Sequence, residues 1–283
     1  MGADRGGQLP ADAPDQVSEA VKLSSPATHE FWEIPVLYED EHLLALDKPA
    51  GLLTSPDRYD AERPNLMRLL HEGIAAGKPW ARARQLTYLS NAHRLDFETS
   101  GVILLAKNKP ALIVLANLFG TEKPEKKYLA LVRGEPAETH FTVEVKLAPH
   151  PVKIGMMRAD FKGGKHAKTV FDVLENFPRF GYALLSCQPL TGRTHQIRVH
   201  ASHVSLKIVG DEMYGGKPLW LSRLKSDYRL KPGKEERALL ARVALHAEQL
   251  KLNHPITNEP VTIQSPMPKD FKVALKYLRQ YSV

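Results

Sequence analysis

The chain carries one cysteine, Cys187, in 283 residues. An internal disulfide and a zinc site built on cysteine pairs are therefore excluded. No apolar run approaches the roughly 20 residues that a membrane helix needs. The first residues lack the basic-then-apolar pattern of a secretory leader, so the expected location is the cytoplasm. Three motifs are also missing: a GxSxG nucleophile elbow, an HExxH zinc helix and a GxxxxGK[ST] phosphate loop.

What the chain does have is charge, unevenly placed. Hydrophobic content of 43% and charged content of 25% suit a soluble globular protein of one large or two modest domains. The formal charge is +7, yet residues 1–30 carry −3 and leave +10 for the remainder. A basic body suits a polyanionic partner, because each neutralised phosphate releases counterions. Residues 1–30 are rich in Ala, Gly, Pro, Asp and Ser without periodicity. They read as a disordered acidic tail in front of a folded body over residues 31–283.

Periodicity sketches that body. Residues 34–38 and 43–47 read as short strands around the acidic turn Glu39-Asp40-Glu41. Lys48 then leaves at the Pro49–Gly51 break, either as an exposed structural lysine or facing phosphate. Residues 55–91 are loop-like around one amphipathic helix near 65–76, and Arg82 and Arg84 make a basic segment that is either a flap over a polyanionic partner or a solvated linker. A helix over 110–119 stops at Gly120, and a strand follows over 126–134. Strand-like runs flank a glycine-lysine loop at 162–168. Residues 217–242 form a charged surface insertion, as a hairpin or a helix, 254–266 a hairpin, and 269–281 a closing helix.

Two segments are dense in chemistry. His93-Arg94-Leu95-Asp96-Phe97-Glu98-Thr99-Ser100-Gly101 feeds the buried apolar run 102–106, which mounts Asp96 at the rim of a sheet. A plain turn with a surface Arg94–Asp96 pair has the same composition. Thr191 to His200 is the second segment, with a helix over 194–203 placing Arg198 near a helix N-terminus. His195, His200 and His203 raise a metal reading, but no paired i, i+4 histidines bracket a glutamate there, so no metal is expected.

HRLDFETSG resembles the HRLD-x-x-TSG signature of the RluA-type pseudouridine synthases. KKYLALVRG, GRTHQIRVH, VGDEMYG and RVALHA resemble further motifs of that family, in its order. The segment at Lys48 resembles N-K-P-x-G-L, with Asp47 where Asn is usual. The resemblance implies an α+β fold: a long curved mixed or antiparallel sheet, flanking helices and a central RNA-binding cleft. It implies Asp96 as the catalytic carboxylate, acting at the sugar or at the ring, and Tyr128 stacked on the target base. Arg198 becomes the bidentate partner of Asp96, Arg94 holds the flipped-out nucleotide, and Leu245 packs against uracil. It implies no cofactor, an RNA substrate (ribosomal, transfer or both), a monomer, and no additional N-terminal RNA-binding domain. Two rivals are weighed: a non-catalytic RNA-binding or assembly protein, whose mark is loss of Asp96 or Arg198, and a hydrolase pairing Asp96 with His93 or a serine.

Overall fold

The computed structural model describes residues 20–282 other than Arg58, Tyr59 and Ala61. Most of the expected tail lies outside the described residues, but its last part is not tail. Strand β1 (Val21–Ser24) pairs antiparallel with β2 (Phe31–Ile34). Alternation turns Val21 and Leu23 inward, onto Ile34 and the apolar face of the first helix.

Pro35 ends β2, and β3 (Val36–Glu39) pairs with β4 (Leu43–Lys48). In the acidic turn between them the Asp40 carboxylate accepts the backbone N–H groups of His42 and Leu43, both at 2.7 Å. Helix α1 (Leu66–Ala75) begins at Asn65, whose side chain accepts from the Arg68 N–H. A second, unexpected helix follows, α2 (Pro79–Ala83), which buries Trp80. Its five residues are too few to show a period. Arg84 is correspondingly no part of a flexible flap: its guanidinium is 9% exposed and donates to Glu39 at 2.8 Å.

After β5 (Ser90–Asn91) comes β6 (Ser100–Ala106), buried at all seven positions as the continuous apolar run required. Helix α3 (Lys109–Gly120), capped by Asn108, leads to β7 (Glu125–Arg133). Strands β8 (His140–Glu144), β9 (Leu147–Pro149), β10 (Met157–Ala159), β11 (Lys168–Phe177) and β12 (Tyr182–Pro189) follow. Helix α4 (Gln196–His203) and β13 (Lys207–Ile208) precede the 217–242 segment. That segment is neither hairpin nor helix along its length. It is an irregular loop tied down by buried Leu219, Leu224 and Leu240. A hairpin of β14 (Leu245–Asn253) and β15 (Pro260–Gln264) and the closing helix α5 (Lys269–Tyr281) complete the chain.

The main sheet runs β3-β4-β6-β14-β7-β12-β11-β8, with β5 on β6, β13 on β7 and β15 on β14. The class is α+β, as expected. Among the described strands only β6 and β14 pair in parallel, through Ser100 with His246 and Gly101 with Ala247. Gly101 sits at φ +112°, and a Cβ there would overlap the backbone of Ala247. Only glycine lets the two strands approach so closely. Two hydrophobic cores meet near this junction, and Tyr128 packs against both.

Because β1 seals the core over α1, truncation through Ser25 is expected to destabilise the protein. Burying Val21 and Leu23 is worth about 1.5–3 kcal/mol each, so urea melts should show a loss of about 3–6 kcal/mol. A truncated chain melting like the full one would place β1 outside the cooperative unit.

Candidate active site

A cavity of about 500 Å³ opens beside the β6–β14 junction, and Arg94, Asp96, Tyr128, His195, Arg198 and Leu245 all line it. The five side chains to which the family motifs point therefore meet in one place, from four parts of the chain. Arg94 and Asp96 come from the loop into β6, Tyr128 from β7, Arg198 from α4 and Leu245 from β14.

The loop carrying Asp96 is clamped on both sides by residues more than 40 positions earlier. Thr54 Oγ1 donates to the Leu95 carbonyl at 2.9 Å and accepts the Leu95 N–H at 3.2 Å. The Phe97 carbonyl accepts the Gly51 N–H at 2.9 Å and is approached by the Lys48 ammonium at 3.4 Å. Lys48 is thus neither exposed nor facing phosphate. It is fully buried, and it also donates to the carbonyls of Pro49 and Leu52 at 2.8 and 2.6 Å. Burial lowers its pKa to about 7, while the charge of Asp96 acts in the opposite direction.

Asp96 itself keeps a side-chain exposure of 24%, with the Nη1 of Arg198 at 3.7 Å from its Oδ2. The expected bidentate pairing of these two does not occur. The fork of Arg198 belongs to Asp211, through Nε at 2.8 Å and Nη2 at 2.7 Å. Asp211 follows the turn after β13 and is 1% exposed. A guanidinium has three edges, and its best two-toothed edge goes to the carboxylate that water cannot reach. Asp96 receives the remaining Nη1. Sequence alone assigns Asp211 no role, although the VGDEMYG segment containing it is conspicuous; nothing local distinguishes a charge partner from a turn aspartate.

Arg94 is exposed and donates to Thr194 Oγ1 at 3.0 Å, joining the Asp96 loop to the approach of α4. Tyr128 is half-buried in the cavity wall, and loss of solvent around its phenol, with the nearby charge of Asp96, raises the pKa. Leu245 contributes an apolar wall beside it, 3% exposed. The neighbouring Glu98 carboxyl is also pushed upward, chiefly by burial. His195 and His200 are engaged by separate partners, Tyr214 and Thr169, both at 2.9 Å. Among the described residues no three His, Cys, Asp or Glu side chains are grouped to hold a metal ion.

These buried groups set the expected response to mutation and to acid. Arg198→Met should cost about 3–5 kcal/mol by leaving Asp211 a buried, unpaired charge. Adding Asp211→Asn should recover much of that loss in urea melts; a single variant within about 1 kcal/mol of the parent would show that Asp211 does not need its cation. Separately, burial lowers the pKa of His93 to about 3 and of His200 and His246 to about 4. The unfolded chain takes up these protons below its ordinary histidine value of about 6.5 while the folded chain does not. Stability is thus complete above that value and falls as pH drops from about 6 to about 4, by about 1.4 kcal/mol per pH unit for each histidine. His93 Nε2 accepts the Leu104 N–H at 2.9 Å, a role the glutamine oxygen can take. His93→Gln should therefore flatten the acid slope by about one third, and an unchanged slope would contradict the assignment.

Comparison with known proteins points to one family. The profile of the RNA pseudouridylate synthase family matches residues 42–203. The ribosomal large subunit pseudouridine synthase C of Salmonella typhi is 37% identical over 247 residues, covering 86% of this chain and 70% of that protein. The ribosomal large subunit pseudouridine synthase D of Xanthomonas campestris is 33% identical over 268 residues, covering 94% of this chain and 76% of that protein. Among solved structures, human RNA pseudouridylate synthase domain containing 4 superposes with a TM-score of 0.63 at 26% identity, covering 86% and 92% of the two chains. Human RNA pseudouridylate synthase domain containing 1 gives 0.60 at 25% identity, covering 83% and 84%. Motifs, fold and relatives agree, and this chain belongs to the RluA-type pseudouridine synthases, isomerases that act on RNA.

Proposed function

We propose that the chain converts uridine to pseudouridine in structured RNA, ribosomal RNA foremost, with Asp96 as the reacting carboxylate. The observation that carries this reading is the convergence of Asp96, Tyr128, Arg198, Arg94 and Leu245 on one cavity of about 500 Å³. That volume suits a single nucleotide rather than a duplex, so the target uridine leaves its stack before it reacts. Tyr128, kept neutral, offers an aromatic face to the uracil, and Leu245 an apolar wall. Arg94, at the exposed rim, holds the displaced strand. Ribosomal RNA is favoured over transfer RNA because relatives covering most of this chain are ribosomal large subunit synthases.

The chemistry breaks the bond from the sugar to the ring nitrogen, turns the uracil and rejoins it through carbon 5, which gives up its hydrogen as a proton while the freed nitrogen takes one up. No electrons are gained or lost, and a positioned carboxylate supplies the nucleophile or base. Neither a cofactor nor a metal is required. All the side chains invoked come from one chain, which supports action as a monomer. No described helix is long and apolar enough to cross a membrane, and a cytoplasmic site of action fits an RNA substrate. The non-catalytic alternative is disfavoured by the presence of both Asp96 and Arg198.

Asp96→Asn is the direct test. Arg198 keeps its Asp211 partner in this variant, so stability should stay within about 1 kcal/mol of the parent. RNA binding should persist, while tritium release from carbon-5-labelled uridine in RNA should disappear. Substantial release by the Asn variant would remove Asp96 from the chemistry.

A further inference from the structure

His195 stands out because its backbone is in an unusual state. It is a non-glycine residue at φ 53° and ψ 21°, immediately before α4. The left-handed region is uncommon for any residue with a side chain, histidine being among those that enter it most readily beside asparagine and aspartate. Such a residue is held there by its surroundings, and strain of this kind gathers at functional sites.

The surroundings fix the ring as well. The Met157 N–H, on β10, donates to the hydroxyl oxygen of Tyr214 at 2.9 Å. The phenol's own proton is then free for its other neighbour, Nδ1 of His195, also at 2.9 Å. The two rings meet edge to face, 5.7 Å between centroids. Burial raises the Tyr214 pKa to about 12, so the hydroxyl keeps this proton across the neutral range. A neutral imidazole that accepts at Nδ1 carries its hydrogen on Nε2. That nitrogen lies 3.9 Å from Oδ2 of Asp96. Burial lowers the His195 pKa, as do Arg198 and Arg94, against the opposing charges of Asp96 and Asp211. The ring is therefore a neutral donor rather than a second cation.

We propose that His195 is a positioning residue for Asp96, with its tautomer set by Tyr214 and its Nε2–H directed at Oδ2. The proposal rests on the reading of Asp96 as the reacting carboxylate. Arg198 approaches the same oxygen at 3.7 Å. Two donors on Oδ2 fix the plane of the carboxylate and leave Oδ1 for the substrate. Both separations exceed a hydrogen bond, and catalytic hydrogen bonds commonly shorten in the substrate complex.

The test uses the different reach of two amides. An asparagine side chain places its polar atoms near the position of Nδ1, and glutamine places its own near Nε2. His195→Asn accepts the left-handed backbone and keeps the link to Tyr214, but does not reach Asp96. His195→Gln reaches Asp96 and gives up the link to Tyr214. If His195 positions Asp96, single-turnover tritium release should fall about 10- to 100-fold in the Asn variant. RNA affinity should hold in that variant, and the Gln variant should recover most of the rate. If His195 serves only the turn into α4, the order is reversed, and an Asn variant as fast as the parent or a Gln variant no better than Asn overturns the proposal. Nitrogen-15 spectra of the histidine ring in the unmodified protein give a readout independent of turnover. An Nε2–H tautomer is expected, and an Nδ1–H tautomer overturns the arrangement. Should Asp96→Asn release tritium as the parent does, the reading of Asp96 fails and this proposal falls with it; loss of turnover in that variant alongside a fully active His195→Asn variant refutes the positioning role alone.

Discussion

The close passage of Gly101 past the backbone of Ala247 is the contact on which the rest of the molecule depends. It is where described strands that otherwise pair antiparallel give way to one parallel pair, over two residue pairs. The functional side chains are measured from it. Asp96 lies five residues before Gly101, Leu245 lies two before Ala247, and Tyr128 stands opposite Ala247 across β7 and β14. A side chain at position 101 would push the strands apart and carry the carboxylate away from the aromatic wall. Glycine here is a requirement of distance as much as of backbone angle.

Electrostatics are arranged in the same economical way. Arg198 is buried, yet its charge is already met by Asp211 before Asp96 is considered. The guanidinium can then lend its free edge to Asp96 without depending on it. This separates the charge that the fold needs from the charge that the reaction uses. A carboxylate engaged by the full fork would be a poorer nucleophile or base, since both its oxygens would be occupied.

Much of this was legible in the sequence, for identifiable reasons. The seven buried residues of β6 and the amphipathic faces of α1 and α5 have strong patterns, and the closing helix falls where its period put it, Lys269–Tyr281. The literal motifs led to Asp96, Arg94, Tyr128, Arg198 and Leu245. Part of what stayed hidden depended on partners distant in sequence. Arg84 looks mobile because Glu39 lies 45 positions away. Lys48 has its shortest bonds nearby, to Pro49 and Leu52, but no local pattern announces its burial. Asp211 likewise has no local mark that separates a charge partner from a turn aspartate. Strand β1 was lost in a compositional average: four residues that alternate correctly sit beside a stretch that does not. Helix α2 offers a single buried tryptophan and a proline at its start, too little to outweigh a polar neighbourhood.

The complete burial of β6 on both faces has an evolutionary side. A change at any of its positions is felt by a packed core, so drift there is slow. Residues 229–235, between the buried leucines of the 217–242 loop, and the exposed apolar side chains of Val152, Ile154 and Phe161 are under no such constraint. Innovation in such a lineage is therefore channelled to the periphery. Exposed positions of that kind can change without disturbing the packing that holds the cavity in place.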